Sequence, residues 1–356
     1  MTPSEIESAV KQWGRAALSF DILLRPECYT HFHSREVPGA FVAYQRFGSC
    51  EVVMGDVVAP ESDRLRVVQE YLTDRLAERR AVLGFSWPQD LAEAAVEVGA
   101  AAAQWTAEPE LDPVHYKPSG KHAKKLRSYV RKLRSHGVVA REMTQTIQSE
   151  TGDRSATERL VADWLQHGPP RGSHLLEVEP WVRSEDKRFF GVFDPESEDR
   201  LWSVLIAHPI WGRQGWHLCH LMHDHEAPRG VNELAVLTAV EAFAAEGCGY
   251  ATFGPFASPE AGPLIGFGSL LKPFLRRVYD AVATRGGYTH TLEFYEKVQA
   301  HPWADRYMVV TRKHFPLGPL RALLDLTHAL GTHGRHPIVG HTPSGALRQD
   351  PSQESA

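Results

Sequence analysis

Cysteine is scarce in this chain of 356 residues. The four thiols, Cys28, Cys50, Cys219 and Cys248, are far apart and none forms a Cys-x-x-Cys pair. That spacing excludes a disulfide framework or zinc ribbon and makes a reducing cytoplasm the expected compartment. Long apolar runs are missing too. Charge interrupts even the stretch 91–105, so nothing approaches the ~20 apolar residues of a membrane-spanning helix. The opening MTPSEIESAV has neither a basic start nor an apolar core, and no secretory signal is expected there. No internal repeat recurs at a fixed short period. What is present is core material: 42% of residues are hydrophobic, with nine Trp and fifteen Phe. A chain of this length and composition folds as two domains or one large one.

The net charge of −5 conceals an asymmetry. Residues 115–141 hold nine Lys/Arg and no Asp or Glu, and removing that +9 leaves −14 on the rest. An acidic protein with one concentrated basic segment is built to hold an anion at one place. Within it, residues 120–135 have a helical pattern. Leu126, Tyr129, Val130 and Leu133 fall at i, i+3, i+4 and i+7 and make one apolar stripe. Lys121, Lys124, Lys125, Arg127, Arg131, Lys132 and Arg134 fill an arc of roughly 180° on the other side. With Lys117 they suit phosphates along a nucleic-acid backbone, contacts that position without reading sequence. An ordinary solvated helix face is the alternative use. Gly120-Lys121 lacks the remaining residues of a phosphate-binding P-loop.

Along the chain, residues 41–54 predict two strands with a turn at Gly48-Ser49, 63–80 a helix, 81–86 a strand, and 88–99 a second helix. The later half predicts strands at 187–193, 201–208 and 216–222. A helix over 231–246, a strand at 250–253, a helix over 269–284 and a closing strand at 306–311 follow. That order is the order of a GNAT-type acyltransferase, an α/β (α+β) fold with mixed sheets flanked by helices. Residues 317–330 have the spacing of a short amphipathic helix, and 333–356, rich in Gly, Pro, Ser and His, read as a flexible tail. The loop Ala227-Pro228-Arg229-Gly230-Val231-Asn232 stands where such enzymes bind the pyrophosphate of acyl-CoA. It keeps only one of the expected small residues, Gly230.

Several motifs occur in a particular order over residues 40–312: Gly55-Asp56; the basic stretch 117–137; Trp164-Leu165; Leu221-Met222 followed by Pro228, Gly230 and a helix; Phe253-Gly254-Pro255; and Phe294, Lys297, Pro302, Trp303, Arg306 and Tyr307. In this the chain resembles the aminoacyl-tRNA-dependent transferases typified by the C-terminal catalytic domain of phosphatidylglycerol lysyltransferase. The resemblance implies two tandem GNAT-like halves, here 1–145, ending in the basic helix, and 146–332, the catalytic half. It implies the acceptor end of aminoacyl-tRNA as partner and no cofactor. His220 and His223 replace the Asp and Arg of the family's Asp-Leu-Met-Arg motif, and Tyr295 replaces a Lys. The expected activity moves an amino acid from aminoacyl-tRNA to an amine, hydroxylamine or hydroxyl acceptor, a small molecule of a biosynthetic pathway. The alternatives are a lipid acceptor of the phosphatidylglycerol type and an acyl-CoA-dependent N-acyltransferase.

An aminoacyl ester is already activated. The protein must align the substrates, stabilise an oxyanion and move a proton to the leaving ribose hydroxyl. His220 or His223 is the expected proton carrier, beside Asp224; neutral imidazole titrates in the right range. Strand alternation puts His220 with Met222 on one face and His217, Cys219 and His223 on the other, so no metal site is expected. Asn232 either caps the following helix or binds ligand. Glu233 is a candidate for the α-amino group of the aminoacyl moiety. Lys297 is one for the terminal phosphates or the oxyanion, and Gly230 and Trp216 would line the substrate site. Core packing is the alternative for Trp216, and structural or surface placement for the histidines.

Overall fold

Apolar runs rich in β-branched and aromatic residues become many of the strands. In the computed structural model, residues 1–149, 152–167, 178–285, 289–311, 318–319 and 321–322 are described. In chain order the elements are α1 (Pro3–Trp13), α2 (Asp21–Leu24), β1 (Thr30–His33), β2 (Phe41–Phe47), β3 (Cys50–Met54), α3 (Arg64–Ala77), β4 (Ala81–Pro88), α4 (Gln89–Glu97), β5 (Ala101–Leu111), α5 (Lys124–Ser135), β6 (Val139–Glu142), α6 (Thr144–Gln148) and α7 (Gly152–His167). There follow β7 (Arg188–Asp194), β8 (Ser197–Ile210), β9 (Gly215–His223), α8 (Val231–Ala245), β10 (Ala251–Thr252), β11 (Phe256–Ala257), β12 (Leu264–Ile265), α9 (Lys272–Arg285), α10 (Thr289–Lys297) and β13 (Trp303–Val310). The periodic segments are where their spacing puts them, with ends shifted by a few residues. The basic helix begins at Lys124, after a turn containing Gly120, and Gly137, with φ +77°, follows its end. The expected helix over 317–330 and the tail 333–356 lie, apart from four residues, outside the described residues.

The thirteen strands among the described residues join one sheet, in the order β1-β2-β3-β4-β13-β5-β10-β9-β8-β7-β6, with β11 and β12 also on β5. The strand that closes the chain's second half in sequence is inserted among those of the first. β13 runs antiparallel to both β4 and β5. Strand β5, absent from the expected strands, is the seam. One edge takes β13 along 101–109, and the other takes β12, β11 and β10 in turn. Helix α8 is apolar on nearly every face and packs against β8, while Leu126, Val130 and Leu133 bury the apolar stripe of α5 in the same core.

Arg306 of β13 is buried at the seam. Its Nε donates to Glu108 Oε2 at 2.7 Å, and an Nη contacts Glu110 at 3.4 Å. Removing one partner of such a pair leaves a buried charge uncompensated. Arg306→Leu is expected to destabilise the fold by about 3–5 kcal/mol, read as a fall in the urea midpoint. Adding Glu108→Leu recovers part of the loss. An unchanged midpoint in the single variant would show that the pair does not tie β13 to β5.

Candidate active site

Three helices meet at the start of α8. Gly230 is its N-cap, at φ +106°, and no side chain caps the helix. The first-turn N–H groups therefore lack a side-chain partner at the positive end of the helix dipole. A β-carbon on Gly230 would lie 2.6 Å from Tyr129 Cβ, so glycine is what lets α5 cross so closely. Glu233, one turn in, is 5% exposed. Its Oε1 accepts from Lys297 Nζ at 2.7 Å, from the end of α10. The same ammonium lies 5.8 Å from the ring centre of Tyr129 and 6.0 Å from that of Phe294. Lys297 is thus brought from 64 positions along the chain to Glu233, one turn from Gly230.

Beside them runs a polar chain. Ser203 of β8 donates to Asn232 Oδ1 at 2.7 Å, and Asn232 Nδ2 lies 3.0 Å from His223 Nδ1. Asn232 therefore does not cap the helix. Burial holds His223 below its usual 6.5, opposed by the negative charges of Glu233 and Asp224. Ser203 escaped the sequence reading. Its signal is a lone hydroxyl inside the apolar run 201–207, which needs a partner once buried.

The other candidates go elsewhere. Asp224 is held by Arg200 at 2.8 Å and by the Glu226 amide at 2.8 Å, an arrangement that keeps its carboxylate in the turn after β9. Trp216 stands at the opposite end of β9, stacked on Phe243 with ring centres 5.4 Å apart and within the core. The alternation assumed along β9 breaks at a bulge. Ile206 pairs with His220 but Ala207 with Leu218, so Cys219 is the extra residue. His217, Cys219, His220 and Met222 consequently share the face away from α8, while His223 is on the α8 side. His220 and His223 are not neighbours across one site. Burial and the charge of Lys187 take the His220 imidazole down to about 3, so it is neutral.

Every cation assigned to the basic helix, and Lys117 before it, is exposed. Two are engaged. Arg127 donates to the carbonyls of Pro118 and Gly120, pinning the approach to α5, and Arg134 pairs with exposed Glu241 at 3.2 Å. Among the described residues, Lys121, Lys124, Lys125, Arg131 and Lys132 have no carboxylate within ion-pairing distance. A groove of about 720 Å³ runs beside this helix. Its floor includes Tyr116, Leu126, Val130 and Leu237, and Arg127, Arg131 and Arg134 line its edge.

The family model described as phosphatidylglycerol lysyltransferase, C-terminal, matches residues 10–299, from α1 through α10. No curated protein matches. Among solved structures, L-PGS from Bacillus licheniformis is similar at 17% identity and a TM-score of 0.69, over 92% of this chain and 97% of that one. The C-terminal domain of an Agrobacterium fabrum protein described as a putative lysylphosphatidylglycerol synthetase gives 14% and 0.69, over 92% and 96%. FemX gives 8% and 0.52, over 91% and 98%. These likenesses extend the mixed α/β architecture to proteins of very different sequence.

Gly230→Ala should destabilise the chain by about 1–3 kcal/mol, the usual range for overpacking. Tyr129→Ala in that background should show a favourable coupling in a double-mutant cycle. Simple additivity in urea unfolding would mean that α5 does not bear on α8 at this point.

Proposed function

The chain belongs to the phosphatidylglycerol lysyltransferase C-terminal family of aminoacyl-tRNA-dependent aminoacyltransferases, and from that premise we propose that it delivers the amino acid to a small cytoplasmic amine, hydroxylamine or hydroxyl acceptor. One observation carries the reading. The exposed cations of α5 border the uncapped start of α8, where buried Glu233 pairs with half-buried Lys297. Lys121, Lys124, Lys125, Arg131 and Lys132 follow the phosphates of the acceptor end, and the esterified tip reaches the α8 terminus. Lys297 occupies Glu233 Oε1, leaving Oε2 for the α-ammonium of the aminoacyl group.

The acceptor's nitrogen or oxygen attacks the ester carbonyl. The first-turn N–H groups of α8 receive the developing oxyanion. Collapse breaks the bond to the ribose oxygen, which leaves as a hydroxyl. The proton lost by the nucleophile passes through His223. When the Asn232 amide turns by 180°, Ser203 donates to the Met222 carbonyl, 3.0 Å away, and Asn232 Oδ1 accepts from His223 Nδ1. His223 Nε2 is then free as the base.

Tyr129 argues against acyl-CoA. It fills the space that the missing β-carbon of Gly230 would leave for a pyrophosphate. The groove beside α5, apolar below and arginine-lined at its edge, favours a second reading in which the acceptor is an anionic lipid.

Charged tRNA bearing labelled amino acid, offered with small acceptors, anionic vesicles or acetyl-CoA, separates these readings. RNase-sensitive transfer to a soluble amine or hydroxyl supports the first, label in the vesicles the second, and turnover with acetyl-CoA alone overturns both. Charge reversal at Lys124, Lys125 and Arg131 spares the Arg127 loop contacts. It should weaken tRNA binding and lower the slope of its log–log salt dependence by about one for each phosphate no longer neutralised. The lowered His223 pKa has a signed consequence. The neutral base persists below pH 6.5, so the acidic limb of kcat/KM lies on the acid side of that value, and His223→Gln abolishes the limb together with most of the rate.

A further inference from the structure

The bulge in β9 gathers a second cluster, on the opposite face from α8. We propose that His208, His217, Cys219 and His220 form a buried site for a thiolate-binding metal ion, Zn2+ or Cu+. His208 is 5% exposed, and its Nε2 is buried with no hydrogen-bond partner. One ligand atom from each of His208, His217 and Cys219 lies within 4.8 Å of the others. The Nε2 of His220 is 3.5 Å from Cys219 Sγ. A sulfur and a nitrogen bound to one tetrahedral zinc at about 2.3 and 2.0–2.1 Å would stand about 3.6 Å apart. The His208 ring centre lies 5.3 Å from that of His220 and 6.1 Å from that of His217. An orphan nitrogen, a thiol and a second imidazole thus lie within 4.8 Å of one another, with His220 beside the thiol.

The surroundings fit. His217 Nδ1 is 3.1 Å from the Ala17 carbonyl and the ring also meets the Phe253 backbone, so one of these contacts is kept as the outer hydrogen bond that orients a ligating imidazole and the other is exchanged for the metal. Gly254 lets the backbone pack closely against the His217 ring, since a β-carbon there would stand 2.4 Å from Nε2. Lys187 donates to the Glu179 and Pro180 carbonyls, and its charge favours the Cys219 thiolate. On binding, Cys219 gives its proton to solvent as sulfur bonds to the metal. Three neutral imidazoles complete a set of three nitrogens and one sulfur, suited to either ion. With no position left open, the ion is structural. It would tie β8 to β9, and through His217 and Ala17 to the chain's first residues.

The full chain, stripped with chelator, is titrated with Co2+ as a spectroscopic stand-in for Zn2+. Thiolate-to-cobalt charge-transfer absorption should saturate at one equivalent and collapse on adding Zn2+. An anaerobic competition with a chromophoric Cu+ chelator tests the second ion, and whichever ion raises Tm more is the better fit. Cys219→Ser and His208→Gln should remove the band, while Cys248→Ser keeps it. Circular dichroism of the stripped variants reports folding. Should Cys219→Ser fail to fold, His208→Gln and the wild-type Tm with and without metal decide the matter. A wild type with no thiolate band and no rise in Tm overturns the proposal, as does a band that survives Cys219→Ser.

Discussion

The close crossing of α5 over the start of α8 is the contact on which the proposed active site depends. At Gly230 the absent β-carbon is replaced by Tyr129, and this fixes the distance between the cationic helix and the helix terminus. It also sets the floor beneath Lys297, whose ammonium lies over the Tyr129 ring while pairing with Glu233. A larger residue at 230 would push α5 outward and take the positive surface with it.

Burial divides the charged groups into two kinds. On the exposed face of α5, cations repel one another in water at modest cost, and most of that repulsion is relieved when a polyanion arrives. Inside, several of the described charges are held in pairs, while Lys187 is held by the Glu179 and Pro180 carbonyls. Arg306 with Glu108, Arg64 with Asp56, and Lys297 with Glu233 each join separate elements of the fold. The Gly55-Asp56 motif belongs with these. Asp56 serves Arg64 and the Val57 amide. Several of the residues that resemble the family's motifs thus hold the frame, and a smaller set faces the proposed substrate.

Strand β9 presents different chemistry on its two sides because one residue is inserted. Without the bulge at Cys219, His220 would sit on the face opposite to His217. With it, three histidines and a thiol share an interior face, and His223 alone is left beside Asn232. A period of two, read along the sequence, has no means of registering such an insertion. It arises from how β8 and β9 settle their hydrogen bonds, which depends on the neighbouring strand.

Much of the local structure was legible in the residues themselves. The apolar stripe of α5, the helix over 231–245 and the three-strand meander follow from periodicity and turn chemistry, since these act over a few neighbouring positions. Six of the seven cations of the expected arc lie on α5, because cations at helical spacing have only one side to occupy, and Lys121 precedes the helix in a turn. Tertiary structure decided the rest. It placed β13 between β4 and β5, chose Gly230 as the cap where Asn232 was a candidate, moved Trp216 into the core and supplied Ser203 as a partner for Asn232. The physical reason is common to all four. Each outcome is settled by what packs against a residue from far along the chain, and helix or strand periodicity carries no information about that neighbour.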